Sequence, residues 1–250
     1  MTTYPTSLGV STKDTITLMG HDLSADLIGR ISFGELAYRL ITLQEPTSGQ
    51  LRVFEAVLVA LADHGFTPTA IAARLTYLGA PEALQGALAA GLLGGGSRFL
   101  GVSEDTARFL QQTLSGLDGL PEDEAGWDVV AARAIAAHQG FVPGLGHHLH
   151  KDGDPRTPVL IGVAREEGQY GPHLALFEAV GRMAPKKLPL NGAGACGAAL
   201  ADLGIPTELC RGVVLLARCA GILGHLAEEI RNPVARAIFD DVESNAVYTP

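Results

Sequence analysis

The stretch Pro143-Gly-Leu-Gly-His-His-Leu-His-Lys-Asp-Gly-Asp-Pro-Arg156 decides how this chain is read. Pro143, Gly144 and Gly146 predict a tight turn whose backbone N–H groups can approach a ligand closely. Behind it stand His147, His148 and His150, then Lys151 and Arg156. Arginine offers a planar fork that matches a carboxylate, and histidine exchanges a proton near neutral pH. The pattern points to a site for an anion, against the plainer alternative of an exposed polar loop. Adjacent histidines face different ways, so no metal is expected there.

Working outward, the chain is punctuated as helices. Ser32 and Glu35 have capping-box spacing, with Ile31 and Leu36 placed as a hydrophobic staple. Leu51, Phe54, Val57, Leu58 and Leu61 fall on one face at the 3.6-residue period, predicting a helix over 50–63. Thr67 and Pro68 read as N-cap and first helical residue, and Gly79 as the stop. Further helices are expected from Pro81 to Leu93, from Trp127 to Gln139 and from Thr207 to Arg231. Loops are expected at Gly94–Gly96, Gly116–Gly126, Pro143–Gly146 and Asn191–Gly194. Alternating strand patterns are scarce, so the expected class is all-α. The segment after Gly101 is more acidic, which suggests a smaller helical domain over 103–190 inserted in a larger one formed by 20–102 and 191–250.

The 250 residues allow one large domain or two small ones. Apolar residues make up 47% and charged residues 18%, which excludes a disordered chain. The net charge of −9 argues against nucleic acid and against an anionic membrane surface as partners. The apolar run Ala83 to Ser97 is too short and too glycine-rich to span a bilayer. Cys196, Cys210 and Cys219 fit neither a zinc site nor a disulfide framework and are expected to be buried. With no basic or apolar leader in MTTYPTSLGVSTKD, a cytoplasmic location is expected.

The decisive segment reads G-H-x-x-x-K-x-x-D-P-R from Gly146 to Arg156, and resembles the signature of the citrate synthase superfamily. Five other stretches resemble that family in order. They are Ala62-Asp63-His64-Gly65, the run Gly96-Ser97-Arg98-Phe99-Leu100-Gly101, the approach Lys186-Lys187-Leu188-Pro189-Leu190-Asn191, Ala217-Arg218-Cys219-Ala220-Gly221, and Arg236 to Asp241. The run at 96–101 is similar to the citryl-CoA lyase branch, the module also found in ATP-citrate lyase. The resemblance implies an all-helical fold with a large and a small domain, assembled as a homodimer or larger. It implies coenzyme A, as a thioester substrate, and a di- or tricarboxylate as the small-molecule partners. It further implies His64 and His147 as catalytic, with His147 the base for a hydroxyl and His64 polarising a carbonyl. Arg156, Arg218 and Arg236 would hold carboxylates, Arg236 in a partner subunit's site, though an ion pair with Asp240 is its surface alternative. Val142, Gly144, Leu145, Gly146, Lys186 and Lys187 would lie near coenzyme A. Arg218, in the middle of an apolar helix, is an awkward charge unless a ligand meets it.

One family position departs. Where the family carries the Asp that removes or returns the thioester's α-proton, this chain has Ala193, and no Asp or Glu occurs between Glu178 and Asp202. Asn191, Cys196 and water are the replacements left open. A positioned base contributes roughly 10²–10⁴ in rate, so condensation suffers more than cleavage. The expectation is a carbon–carbon lyase or ligase of the citryl-CoA lyase kind. A silent homologue that binds CoA esters, or a synthase-type acyltransferase acting on another substrate, is the alternative.

Overall fold

The computed structural model describes residues 2–147 and 149–249; Met1, His148, Pro250 and the side chain of Lys186 lie outside the described residues. The fold is all-helical apart from a small N-terminal meander. Strands β1 (Gly9–Ser11), β2 (Ile16–Leu18) and β3 (His21–Asp22) pair antiparallel in the order β1-β2-β3. These strands are two or three residues long, too short for an alternating pattern to register in the sequence. A π-helical turn, Leu23–Leu27, follows.

The helices are α1 (Phe33–Thr42), α2 (Ser48–Ala62), α3 (Pro68–Gly79), α4 (Leu84–Leu93), α5 (Val102–Ser115), α6 (Glu124–Ala137), α7 (Arg156–Glu166), α8 (Pro172–Met183), α9 (Gly192–Asp202), α10 (Thr207–Arg231) and α11 (Ala235–Ser244). Their starts follow side-chain caps. Thr47 and Gln50 form a complete capping box on α2. At α1 the box is half made: the Glu35 N–H donates to Ser32 Oγ, but the Glu35 carboxylate turns to Arg39. Thr67 caps α3 with Pro68 at its first position, as expected.

Three boundaries differ from the sequence reading. Pro81 sits in a turn and α4 begins at Leu84. The Asp123 carboxylate accepts the Gly126 N–H, so α6 starts at Glu124 rather than Trp127. Asn191–Gly194 is the start of α9, not a loop: Asn191 Oδ1 accepts the Gly194 N–H.

The main core joins α1, α2 and α5 to α10 and includes Tyr38, Phe54, Leu110, Leu174, Phe177 and Leu200, while Ala73, Ala87, Ile222 and Leu226 form a second cluster between α3, α4 and α10. The main core spans both parts of the expected domain division. α10 is the axis, packing against α2, α3, α4, α5 and α9. Among the described residues it is the one helix long and apolar enough to cross a bilayer. Its buried Arg218, His225 and Glu229 and its packing on five helices make it a core helix instead.

Gly221 sets the approach of α10 to α2. A Cβ there would stand 1.9 Å from the carbonyl oxygen of Ala62, a backbone atom that cannot swing aside. That contact brings α10 against the end of α2, where Asp63 and His64 leave the helix. Gly221→Val should therefore cost about 2 kcal/mol or more, read as a lower urea midpoint with unchanged slope.

Candidate active site

A cleft of about 740 Å³ opens between α2, α5, α9 and α10. Its lining gathers His64, Gly144, Leu145, Gly146, His147, Arg156, Ala193 and Arg218 from four separated parts of the sequence. Arg98 and Lys151 also face it, and Asp105 is the sole Asp or Glu among the described lining residues. A chain of net charge −9 thus concentrates cations in one concavity, the arrangement that focuses an anionic ligand.

The loop 143–147 is zipped to the segment before α9. Leu145 bridges Leu190 antiparallel, the Gly146 N–H donates to Pro189 O at 2.6 Å, and the Asn191 N–H donates to Gly144 O at 2.9 Å. Asn191 Nδ2 donates to Gly146 O at 2.8 Å. Gly144 has φ +84° and lies where a Cβ would strike the Phe177 ring at 2.7 Å. The glycine serves this close packing on α8 as well as the turn.

Asp154 anchors the other end of the loop. Its carboxylate accepts from Arg156 Nε at 3.0 Å, Arg156 Nη2 at 2.7 Å, the Arg156 N–H at 3.1 Å and the Gly192 N–H at 2.7 Å. Burial pushes the Asp154 carboxyl up, but the Arg156 guanidinium and the N–H donors outweigh it. They hold it well below the usual carboxylate range. Arg156 Nη1 donates to Ala60 O at 3.1 Å. The fork expected to grip a substrate is thus closed on Asp154, and Arg156 meets the cleft only with its remaining N–H edges.

Arg218 is different. It is 5% exposed, and Nε donates to Leu61 O at 3.2 Å. No carboxylate pairs with it, and no contact among the described residues engages Nη1 or Nη2. Burial pushes this guanidinium below its ordinary value, Asp63 offsets that in part, and Arg156 adds to it. A buried cation without a partner is costly, so a ligand anion is the group that would complete it.

His147 accepts the Leu149 and His150 N–H groups at Nδ1, both at 3.1 Å. A ring nitrogen that accepts has no proton, so the proton of the neutral ring sits on Nε2. His147 in this arrangement is a hydrogen-bond donor. To act as the expected hydroxyl base through Nε2, the ring would first have to release these two N–H groups and move its proton to Nδ1. The rings of His64 and His147 lie 5.2 Å apart, and His150 stands 4.5 Å from His147 and 5.8 Å from His64. One nitrogen from each of the three lies within 4.8 Å of the others. Three histidines are a donor set for a catalytic metal. Here, however, the N–H groups held at Nδ1 leave His147 no lone pair at Nε2, so it would have to give up both bonds to ligate. His148, part of the same histidine run, lies outside the described residues.

Sequence reasoning missed the support beneath His64. Arg74 on α3 is fully buried and donates through Nε to His225 Nδ1 at 3.2 Å and through Nη1 to Glu229 at 2.7 Å, and it pairs with Glu228. Arginine only donates, so His225 Nδ1 accepts and its Nε2–H donates to Asp63 Oδ1 at 2.9 Å. Asp63 also accepts the Gly65 N–H at 2.9 Å. Burial raises the Asp63 carboxyl, but the Gly65 N–H and His225 reverse the shift and hold it below its ordinary value. The turn bearing His64 is thereby clamped to α10. The signal was available: His225 and Glu229 are spaced i,i+4 on an apolar helix, and Arg74 interrupts an apolar one.

The other expected site residues fall elsewhere. Val142 is buried in the core. Lys187 is exposed and not part of the cleft lining, and the Lys186 side chain lies outside the described residues. Arg236 is exposed on α11, bonded to Asp240 at 2.9 Å and packed over Phe239, away from this cleft. Cys196 is fully buried, and burial pushes its thiol up to about 12. It neither lines the cleft nor ionises near neutral pH, which removes it as a substitute for the missing Asp. Asn191 lines the cleft, but its side chain is spent on the cap and on Gly146.

The family model described as "Citrate synthase, C-terminal domain" matches residues 11–238. The chain belongs to the citrate synthase family. The match begins nearer the N-terminus than the sequence resemblance did. Among solved structures, citryl-CoA lyase from Hydrogenobacter thermophilus superposes with a TM-score of 0.84 and 31% identity, covering 99% of this chain and 94% of that one. A mutant ATP citrate lyase from Methanosaeta concilii, in complex with (3S)-citryl-CoA, shares the fold with a TM-score of 0.73 at 23% identity. That likeness covers 100% of this chain and 42% of that one. Citrate synthase from Deinococcus radiodurans is 29% identical over 216 residues, 81% of this chain and 53% of that protein. 2-Methylcitrate synthase 1 from Corynebacterium glutamicum is 26% identical over 198 residues, 74% of this chain and 48% of that protein. The chain thus spans about half the length of these two synthases.

The Asp154 clamp can be tested by stability. A carboxyl whose folded value is depressed stabilises the fold above the ordinary carboxylate range, and this is lost as pH falls toward the depressed value. Asp154→Asn should cost about 3 kcal/mol at pH 7. The gap from wild type should narrow in strong acid, measured by urea unfolding across pH.

Proposed function

We propose that this citrate synthase family member is a carbon–carbon lyase or ligase. It interconverts a citryl-CoA-like thioester with an oxaloacetate-like 2-oxo acid and acetyl-CoA. The carrying observation is Arg218, a buried guanidinium with no carboxylate partner, open to a cleft lined by further cations. Likeness to a citryl-CoA lyase over nearly the whole of both chains supports the lyase direction.

In this reading Arg218 takes a substrate carboxylate, with Arg98 and Lys151 adding positive potential. The His147 Nε2–H donates to the oxygen that changes between hydroxyl and carbonyl, stabilising its negative charge as the C–C bond breaks or forms. His64, clamped through Asp63, His225 and Arg74, assists at the same oxygen. Residues 103–190 form the smaller, coenzyme A side, with Gly144–Gly146 along the thioester and Lys186 and Lys187 near its phosphates. The working protein is a cytoplasmic homodimer or larger assembly in which Arg236 serves a partner's site.

Ala193 favours a second reading: a homologue that binds CoA esters without turning them over. Incubation with citryl-CoA decides between them. Release of oxaloacetate supports the lyase, and tight binding without release supports the silent homologue. Arg218→Leu should weaken citryl-CoA binding roughly 100-fold or more. Its melting temperature should hold or rise, because an uncompensated buried charge has been removed. A folded variant that still binds would end the carboxylate role of Arg218.

A further inference from the structure

We propose that Asp105 is the carboxylate that handles the thioester's α-proton in place of the residue missing at Ala193; this rests on the lyase reading above. Apart from His64, which that reading places at the oxygen, and the cation Lys151, the cleft holds few groups able to carry that proton. His147 presents an N–H, Cys196 is sealed in the core, and the Asn191 side chain is neutral and already bonded. Among the described residues lining the cleft, Asp105 is the sole carboxylate; its N–H donates to Gly101 O, and no hydrogen bond or ion pair among the described residues engages its side chain. It is half-buried in the first turn of α5.

That turn is tied to the first turn of α9. Ser103 Oγ donates to the carbonyl oxygen of Ala193 at 2.7 Å. A Cβ on Gly197 would lie 2.1 Å from Ser103 O, so the two helices touch backbone to backbone. Asp105 and Ala193 therefore share one cleft from two helix starts locked together. The family position was lost on α9, while a carboxylate is offered from α5.

The proton count closes. In cleavage, the bond between the hydroxyl-bearing carbon and the thioester α-carbon breaks, and its electron pair becomes the thioester enolate. Asp105 delivers to the α-carbon the proton that it receives from the hydroxyl through water. The hydroxyl oxygen becomes the carbonyl as its O–H breaks, and that proton passes through water to the Asp105 carboxylate, which ends the cycle as it began. In condensation the Asp105 carboxylate takes the proton from the acetyl methyl group.

The test uses the full chain as wild type, D105N and D105N/A193D. Three quantities are read: citryl-CoA cleavage, deuterium uptake into the acetyl-CoA methyl group with oxaloacetate present, and citryl-CoA binding by calorimetry. D105N should lose roughly 100-fold or more in both reactions while keeping its melting temperature and its affinity. D105N/A193D, which puts a carboxylate at the family position, should regain part of both. Unchanged turnover in D105N, loss of affinity alongside turnover, or no recovery in D105N/A193D each overturns the assignment. Failure of the wild type to bind citryl-CoA would instead remove the lyase reading, and this assignment with it.

Discussion

The Asp154 carboxylate is the junction on which the cleft depends. Four N–H donors converge on it, from Arg156 and from the first residue of α9. Arg156 in turn reaches the end of α2 through Ala60 O. One buried charge thus joins the histidine loop, α7, α9 and α2. The joint is strong because both charges are paired and hydrogen-bonded. The residue that looked most like a substrate clamp is therefore part of the frame.

With the frame fixed, the free energy left unsatisfied sits at Arg218. Its neighbours supply one carbonyl oxygen and the field of Asp63, and among the described residues no carboxylate is in ion-pair contact with it. Gly221 and Arg218 lie one turn apart on α10, so the close contact with Ala62 that seats the helix also sets the guanidinium beside the His64 turn. Arg74, His225 and Asp63 hold that turn from the other side, each hydrogen-bonding role following from arginine having only donors. The two histidines are supported differently: His147 through its own loop's N–H groups, and the turn bearing His64 through a network crossing α3 and α10.

Much of this was legible in the letters. The 3.6-residue period gave α2, Thr207 to Arg231 was read as the helix that is α10, the Thr67-Pro68 pair gave α3, and the ordered motifs gave the family and gathered His64, His147, Arg156 and Arg218. Cap chemistry was less readable. Asp123 and Asn191 each start a helix, yet both were expected in loops, because Asp and Asn serve turns and caps alike. The three short strands carried too few residues to show a period.

The sequence by itself determined the helical class, the family pattern, the lack of any Asp or Glu between Glu178 and Asp202 and the set of cations available to an anion. Those depend on residue type and spacing along the chain. Only the tertiary structure decided which cations are spoken for, since pairing is a matter of distance across elements. It closed Arg156 on Asp154, left Arg218 without a contacting carboxylate among the described residues, and took Arg236 out to the surface. It also aimed the Leu149 and His150 N–H groups at His147 Nδ1, a contact that no sequence spacing specifies.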